Sequence, residues 1–245
     1  MIPIKDDNPT RITPYVTWTL LAINIGVFAL QFSVQSSGGP QAAQEMIYSF
    51  GLVPAVLIGE RQLPPEIAVL PAEATIFTSM FMHGGLLHLG GNMLYLWIFG
   101  NNIEDSMGHG RFIVFYLLCG IAAAFAQVAV NPGSTVPMVG ASGAISGVLG
   151  AYLLLFPRAH VLVLLPIFVF IQILRLPALI VLGLWFVFQL LSGVSAGAGT
   201  GGGVAFWAHI GGFVAGMALI FLFRKDGFAG ARRHSGGRGG RGPWG

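Results

Sequence analysis

From Thr17 to Phe223 the chain is a series of apolar runs, broken by short polar or glycine- and proline-bearing pieces, with almost no charge inside the runs. This constrains the fold more than any other feature. A helix that crosses a ~30 Å hydrocarbon layer needs about 20 mostly apolar residues, and in lipid every backbone polar group must be satisfied internally. Charged residues are 9% of the 245, against roughly a quarter in soluble domains. So few charges cannot cover the surface of a soluble domain this long. The chain therefore reads as an all-α polytopic membrane protein, one compact helical bundle without room for a large soluble domain.

Six spans are expected, over about 17–34, 86–103, 112–130, 141–156, 178–191 and 204–223. The first lacks a small-residue cleavage site and reads as a retained helix, not a signal peptide. The domain organisation is a polar segment 1–13, a six-span domain 14–223, and a Gly/Arg-rich disordered tail 224–245. Residues 35–82 form a long loop containing Pro54, Pro64, Pro65 and Pro71, where partly embedded interfacial helices are expected. Residues 160–175 hold Pro166 and read as a loop skimming the interface. The Gly/Ser/Ala stretch 192–203 reads as a mobile connection. The fourth span, about 16 residues and roughly 24 Å, is too short to reach both surfaces. Anchored at Arg158, it leaves Ser142 below the opposite surface.

Charge assigns the sides. The net charge of +3 comes mainly from the tail, with Arg224, Lys225, Arg232, Arg233, Arg238 and Arg241. Six spans put Arg111, Arg158 and Arg175 on the same side, and the positive-inside rule makes it cytoplasmic. The first loop carries Glu60, Glu66 and Glu73 against Arg61 and lies outside. A cell (inner or plasma) membrane with both termini cytoplasmic is expected. The stretch 232–245 is similar to RGG-type RNA-binding sequence, but reads as a disordered positive-inside segment that can touch anionic lipid. The lipid bilayer is the expected partner and nucleic acid is not. Cys119, alone in an apolar run, reads as a packing residue.

Ionisable groups within membrane spans are costly and mark functional sites. Ser142, in Gly140-Ala141-Ser142-Gly143, and His209, in Ala208-His209-Ile210-Gly211-Gly212, stand near the outer ends of the fourth and sixth spans. Both spans run inward from outside, so the two residues share a depth. Gly143, Gly147 and Gly150 on one span, and Gly212 and Gly216 on the other, let the backbones approach closely. His209 shares the face of Gly212 and Gly216. Contact through these glycines brings an imidazole beside a hydroxyl, the pairing that turns a weak nucleophile into a good one.

A second constellation opens span two: His83, His88 and Asn92. His88 and Asn92, four apart, share one helix face at the depth of Ser142. Their N–H groups, with the Ser142 backbone N–H at a helix N-terminus, are of the type that stabilises a developing oxyanion. His83 reads as structural, shaping the outer loop. Other protease chemistries fail on inventory. Lys5 and Lys225 are both cytoplasmic; no H-E-x-x-H is present; none of Asp6, Asp7, Asp105 and Asp226 lies in an outer half-span. A Ser–His dyad without a carboxylate is expected, and neither a cofactor nor a metal.

These residues closely resemble the rhomboid family of intramembrane serine proteases. The resemblance rests on His83–Asn92 (H-x4-H-x3-N), Glu104 with Gly108, Gly140–Gly143 (GxSG) and Ala208–Gly216 (AHxxGxxxG), and covers about residues 76–220. It implies a six-transmembrane-helix rhomboid-like bundle with Ser142 as nucleophile and His209 as general base. His88 and Asn92, with the Ser142 backbone, are implied as the oxyanion hole. Two positions depart from the family pattern. Ala74 and Thr75 stand where a Trp-Arg pair is frequent. Ser146 stands where some members carry an aromatic that stacks on the catalytic histidine.

The expected activity is that of a serine endopeptidase cutting transmembrane segments of single-span or other membrane proteins through an acyl-enzyme. Two other classes fit the sequence less well. A catalytically silent rhomboid-like binder of transmembrane clients fits the same fold, but such proteins typically lack the Ser or the His. A transporter or channel would need polar residues along a path, whereas these cluster at one depth.

Overall fold

The computed structural model describes residues 1–167, 170–196, 204–226 and 228. The protein is mostly helical. Strand β1 (Ile2–Asp6) precedes the long helix α1 (Tyr15–Phe50). Two short helices, α2 (Pro54–Leu57) and α3 (Thr75–Thr78), follow in the first loop. Then come α4 (Leu86–Met107), α5 (His109–Val130), α6 (Ser142–Leu155), a hairpin of β2 (His160–Ile167) and β3 (Phe170–Pro177), α7 (Ala178–Ala196) and α8 (Phe206–Phe223). Helices α1, α5, α7 and α8 are long and apolar enough to cross a membrane. Helix α4 has 22 residues but carries Asn92, Asn101, Asn102, Glu104 and Asp105. Helix α6 has 14 residues. The result is a membrane helical bundle.

The first helix does not end with its apolar run at Val34. Helix α1 continues through the polar Gln35–Gly38 stretch, where Ser36 and Ser37 hydroxyls donate to carbonyls one turn back. It kinks only at Gly39, whose φ of 77° is left-handed, followed by Pro40. Proline removes a ladder N–H and restricts the residue before it, so the break falls there. The expected loop 35–82 thus begins as helix. Its remainder holds only short helical pieces.

The start of α1 is capped from another helix. Pro14 offers no side-chain cap. Instead the fully buried Glu104 carboxylate of α4 accepts from Val16 N (2.9 Å), Thr17 N (2.8 Å) and Thr17 Oγ1 (2.7 Å). A negative charge at a helix N-terminus meets both the free N–H groups and the positive dipole end.

Residues 160–175 do not form a skimming loop, and 1–13 is more than a polar lead-in. Together they build a three-stranded antiparallel sheet in the order β1-β2-β3. Asp6 pairs with Val161, Ile2 with Leu164, and His160 with Pro177. Val161 and Val163 are fully buried under the bundle. Pro166 suggested a loop, but β1 pairs with β2 only as far as Leu164. Pro166 therefore sits where β2 has a free edge, and its missing N–H breaks no ladder there.

Helices α5, α6 and α8 form the packed centre. A Cβ placed on Gly212 would overlap the carbonyl oxygen of Gly143, and one on Gly216 would overlap that of Gly147. These two helices touch backbone to backbone, which only glycine permits. Phe99, Phe112, Phe115, Tyr116, Tyr152 and Phe213 fill the layers around them and are fully buried. Helix α6 points its N-terminal residue, Ser142, to one end of the bundle, and the sheet closes the other. Part of the expected mobile connection, 197–203, and nearly all of the expected disordered tail lie outside the described residues.

Candidate active site

Ser142 is the first residue of α6, reached by a tight approach through Gly140. Gly140 has φ of 128°, a conformation side-chain-bearing residues avoid. Its backbone N–H is fixed by Ser79 O at 2.8 Å. A Cβ on Gly140 would stand 2.7 Å from His88 Nε2 and 3.5 Å from Ser142 Oγ. Glycine therefore leaves open the space between these two groups.

The glycine seam between α6 and α8 sets the central pair. His209, near the start of α8, brings Nε2 to 2.8 Å from Ser142 Oγ. Both residues are half-buried. His209 Nδ1 in turn lies 2.7 Å from Gln189 Oε1 on α7. An amide oxygen only accepts, so Nδ1 carries the ring proton and Nε2 is bare. The Ser142 hydroxyl then donates to Nε2. This is the arrangement a general base requires before it takes a proton.

His88 and Asn92 of α4 line the same cavity, of about 560 Å3, as Ser142 and His209. Gly84 N–H donates to His88 Nδ1 at 3.3 Å. That fixes the His88 ring proton on Nε2, the atom beside the open space at Gly140. Asn92 is buried, and among the described residues its Nδ2 has no hydrogen-bond partner. Two N–H donors, one of them orphaned, thus accompany the hydroxyl. A buried orphan donor costs about 1–3 kcal/mol, and a polar group entering the cavity recovers it.

His83 stands apart from this chemistry. It is 1% exposed, and Gln31 of α1 clamps its backbone from both sides, accepting from His83 N and donating to His83 O, each at 3.0 Å. Burial pushes its pKa down to about 4, with His88 adding to the effect, so the ring is neutral. Its ring packs edge-on to His88 at 5.2 Å. His83 shapes the turn that leads into α4.

Sequence reasoning missed Gln31, Gln127, Trp185 and Gln189. Gln127 of α5 accepts from Ala208 N at 3.3 Å, steadying the start of α8. Trp185 lies 6.0 Å from the His209 ring. The two glutamines at 127 and 189 carried a usable signal: each is a lone amide in an apolar run, a costly placement that asks for a partner. Ser146, which cannot stack on the histidine, instead donates to Ser142 O at 2.6 Å.

Residues 72–226 match the family model described as Rhomboid domain. The chain is 32% identical over 140 residues to the rhomboid protease GluP of Bacillus subtilis (strain 168), covering 57% of this chain and 24% of that protein. It is 36% identical over 99 residues to rhomboid protein 1, mitochondrial, of Saccharomyces cerevisiae, covering 37% and 28%. It is 30% identical over 136 residues to the presenilin-associated rhomboid-like protein, mitochondrial, of Homo sapiens, covering 53% and 35%. The matched region spans only about a quarter to a third of the length of these relatives. The family match covers well over half of this chain and encloses the hydroxyl–imidazole pair, the α4 donors and the glycine seam, and on that ground the protein belongs to the rhomboid family.

Proposed function

We propose that this protein is an intramembrane serine endopeptidase that cleaves transmembrane segments of other membrane proteins. The observation that carries the reading is the 2.8 Å contact between Ser142 Oγ and His209 Nε2 in a cavity that also holds the orphaned Asn92 amide. In the reaction, Ser142 Oγ attacks the scissile carbonyl carbon as its proton passes to His209 Nε2. The carbonyl oxygen becomes an oxyanion, held by His88 Nε2–H, Asn92 Nδ2–H and the Ser142 backbone N–H. The C–N bond then breaks and the amine leaves with the proton from His209. Water, deprotonated by the same imidazole, releases the acyl group and restores Ser142.

A helical peptide bond is hidden in its own hydrogen-bond ladder, so the substrate must unwind locally. Small or helix-breaking residues near the cut lower that cost. The reading includes six membrane crossings by α1 and α4–α8, with both termini on the cytoplasmic side of a cell membrane. Lys5, Arg11, Arg158, Arg175, Arg224 and Lys225 gather at the sheet end of the bundle, opposite Ser142. That distribution supports the orientation.

The test is reaction of the purified chain with a fluorophosphonate probe, alongside a Ser142→Ala variant and a panel of single-span proteins. Labelling and cleavage by the natural sequence, both lost in Ser142→Ala at unchanged melting temperature, are expected. A folded natural chain that neither labels nor cleaves would falsify the assignment and favour a client-binding role.

A further inference from the structure

The imidazole of His209 is held from a helix that contributes nothing else to the chemistry. Gln189 and Trp185 of α7 stand four residues apart and so share one face of that helix. Gln189 Oε1 is 2.7 Å from His209 Nδ1. The Trp185 ring is 6.0 Å from the imidazole, with the planes 34° apart, and the same distance from Phe213 one turn further along α8. Gln189 is 7% exposed in an otherwise apolar stretch of α7.

The identity of the atom at Nδ1 decides whether His209 can act. An acceptor there keeps the proton on Nδ1 and leaves the Nε2 lone pair facing Ser142 Oγ. A donor there would reverse the tautomer, turning Nε2–H toward the hydroxyl, and no proton could be taken. The amide oxygen selects the productive form without bringing a charge into the apolar layer. The ring's face needs support as well. The residue four after Ser142 is Ser146, whose hydroxyl is engaged with Ser142 O. Facial support therefore comes from α7, not α6.

We propose that Gln189 is a positioning residue that fixes the tautomer and direction of His209, with Trp185 holding the ring plane, so that the base is assembled only while α7 is docked. The inference rests on the protease reading above. It explains why a buried amide is carried by a helix that packs more loosely, with Phe188, Leu191 and Val194 exposed on its outer side. Outward movement of α7 would remove both supports together.

The test uses the full-length chain in nanodiscs with a single-span substrate that the natural sequence cleaves, comparing Gln189→Met and Gln189→Glu. Methionine fills nearly the same volume but accepts from Nδ1 only feebly. Its kcat is expected to fall about 10- to 100-fold, with KM within about twofold and an unchanged melting temperature. Glutamate accepts from Nδ1 as the amide oxygen does. It is expected to recover most of kcat and to move the acid limb of the pH profile up by about one pH unit, since a carboxylate favours the imidazolium. Among the described residues, the titratable group facing His209 is His88 of α4; the sides of α5, α6 and α7 toward it bring no charge. Natural kcat and acid limb in Gln189→Met, or a glutamate variant as slow as methionine with an unmoved limb, overturns the proposal. Should Gln189→Met fail to fold, the limb shift in Gln189→Glu still decides. A natural chain inert toward both probe and substrate sinks the protease reading itself, and this inference with it.

Discussion

Among the described residues, Asn92 Nδ2 is a buried donor without a partner, in a cavity that also holds the Ser142 hydroxyl. In the proposed mechanism that donor meets an acceptor fully only once negative charge develops on the substrate oxygen. Its removal should then depress turnover more than binding. Asn92→Ala is expected to lower kcat by about 10²–10³-fold with KM little changed, the size associated with one lost oxyanion donor. Steady-state cleavage kinetics in detergent check this, and an equal fall in binding with kcat untouched would reassign Asn92 to substrate docking. The nearness of Ser142 and His209 was legible in the sequence because Gly143, Gly147, Gly212 and Gly216 let the backbones of their two helices touch. Gln189 and Trp185 were not legible in the same way. Nothing in a single chain says which face of α7 turns toward α8, so their contacts with His209 emerge only with coordinates.

At the scale of elements, the helices were legible from apolar runs and their breakers, while the sheet was not. Its first strand is far in sequence from the other two, with β1 at residues 2–6 and β2 starting at 160. No local signal joins them. The junction is held by Asp6, whose carboxylate accepts from Tyr152 OH at 2.6 Å and Asn102 Nδ2 at 2.9 Å. Desolvation pushes the Asp6 pKa up to about 6, and Asp7 alongside adds to it, outweighing the lowering effect of the Tyr152 hydrogen bond. An acid with a raised pKa in the folded state binds its proton more tightly there than in the unfolded chain. Its contribution to stability is therefore fully present below about 4 and is lost as the pH rises through about 6. Amide exchange in β1, corrected for intrinsic rates, should be slower at pH 5 than at pH 7.5. Asp6→Asn should flatten that dependence. Protection that rises with pH in the natural sequence would mean the carboxylate is the better-held form.

The whole molecule is polarised along the bundle axis, and the proposed orientation of the site in the membrane rests on that polarity. The α4–α5 connection and the end of α8 meet at the sheet end: Lys225 N–H donates to Ser106 O, and Arg111 reaches Phe223 O. The site end carries the first loop, with its glutamates. Charge thus predicts which end faces the cytoplasm, since Lys and Arg near span ends resist translocation. Cys119 is the single cysteine and is fully buried, so a Cys119→Ala background leaves no competing thiol. Glu73, in the first loop, and Arg158, between α6 and β2, are both exposed. In intact cells a membrane-impermeant maleimide should label Glu73→Cys in that background and spare Arg158→Cys, with both labelled after permeabilisation. The opposite pattern would invert the molecule and open the Ser142 cavity toward the cytoplasm. It would also mean that a Gly/Arg-rich tail had crossed the bilayer, against the cost of moving its six positive charges, Arg224, Lys225, Arg232, Arg233, Arg238 and Arg241, past the membrane potential.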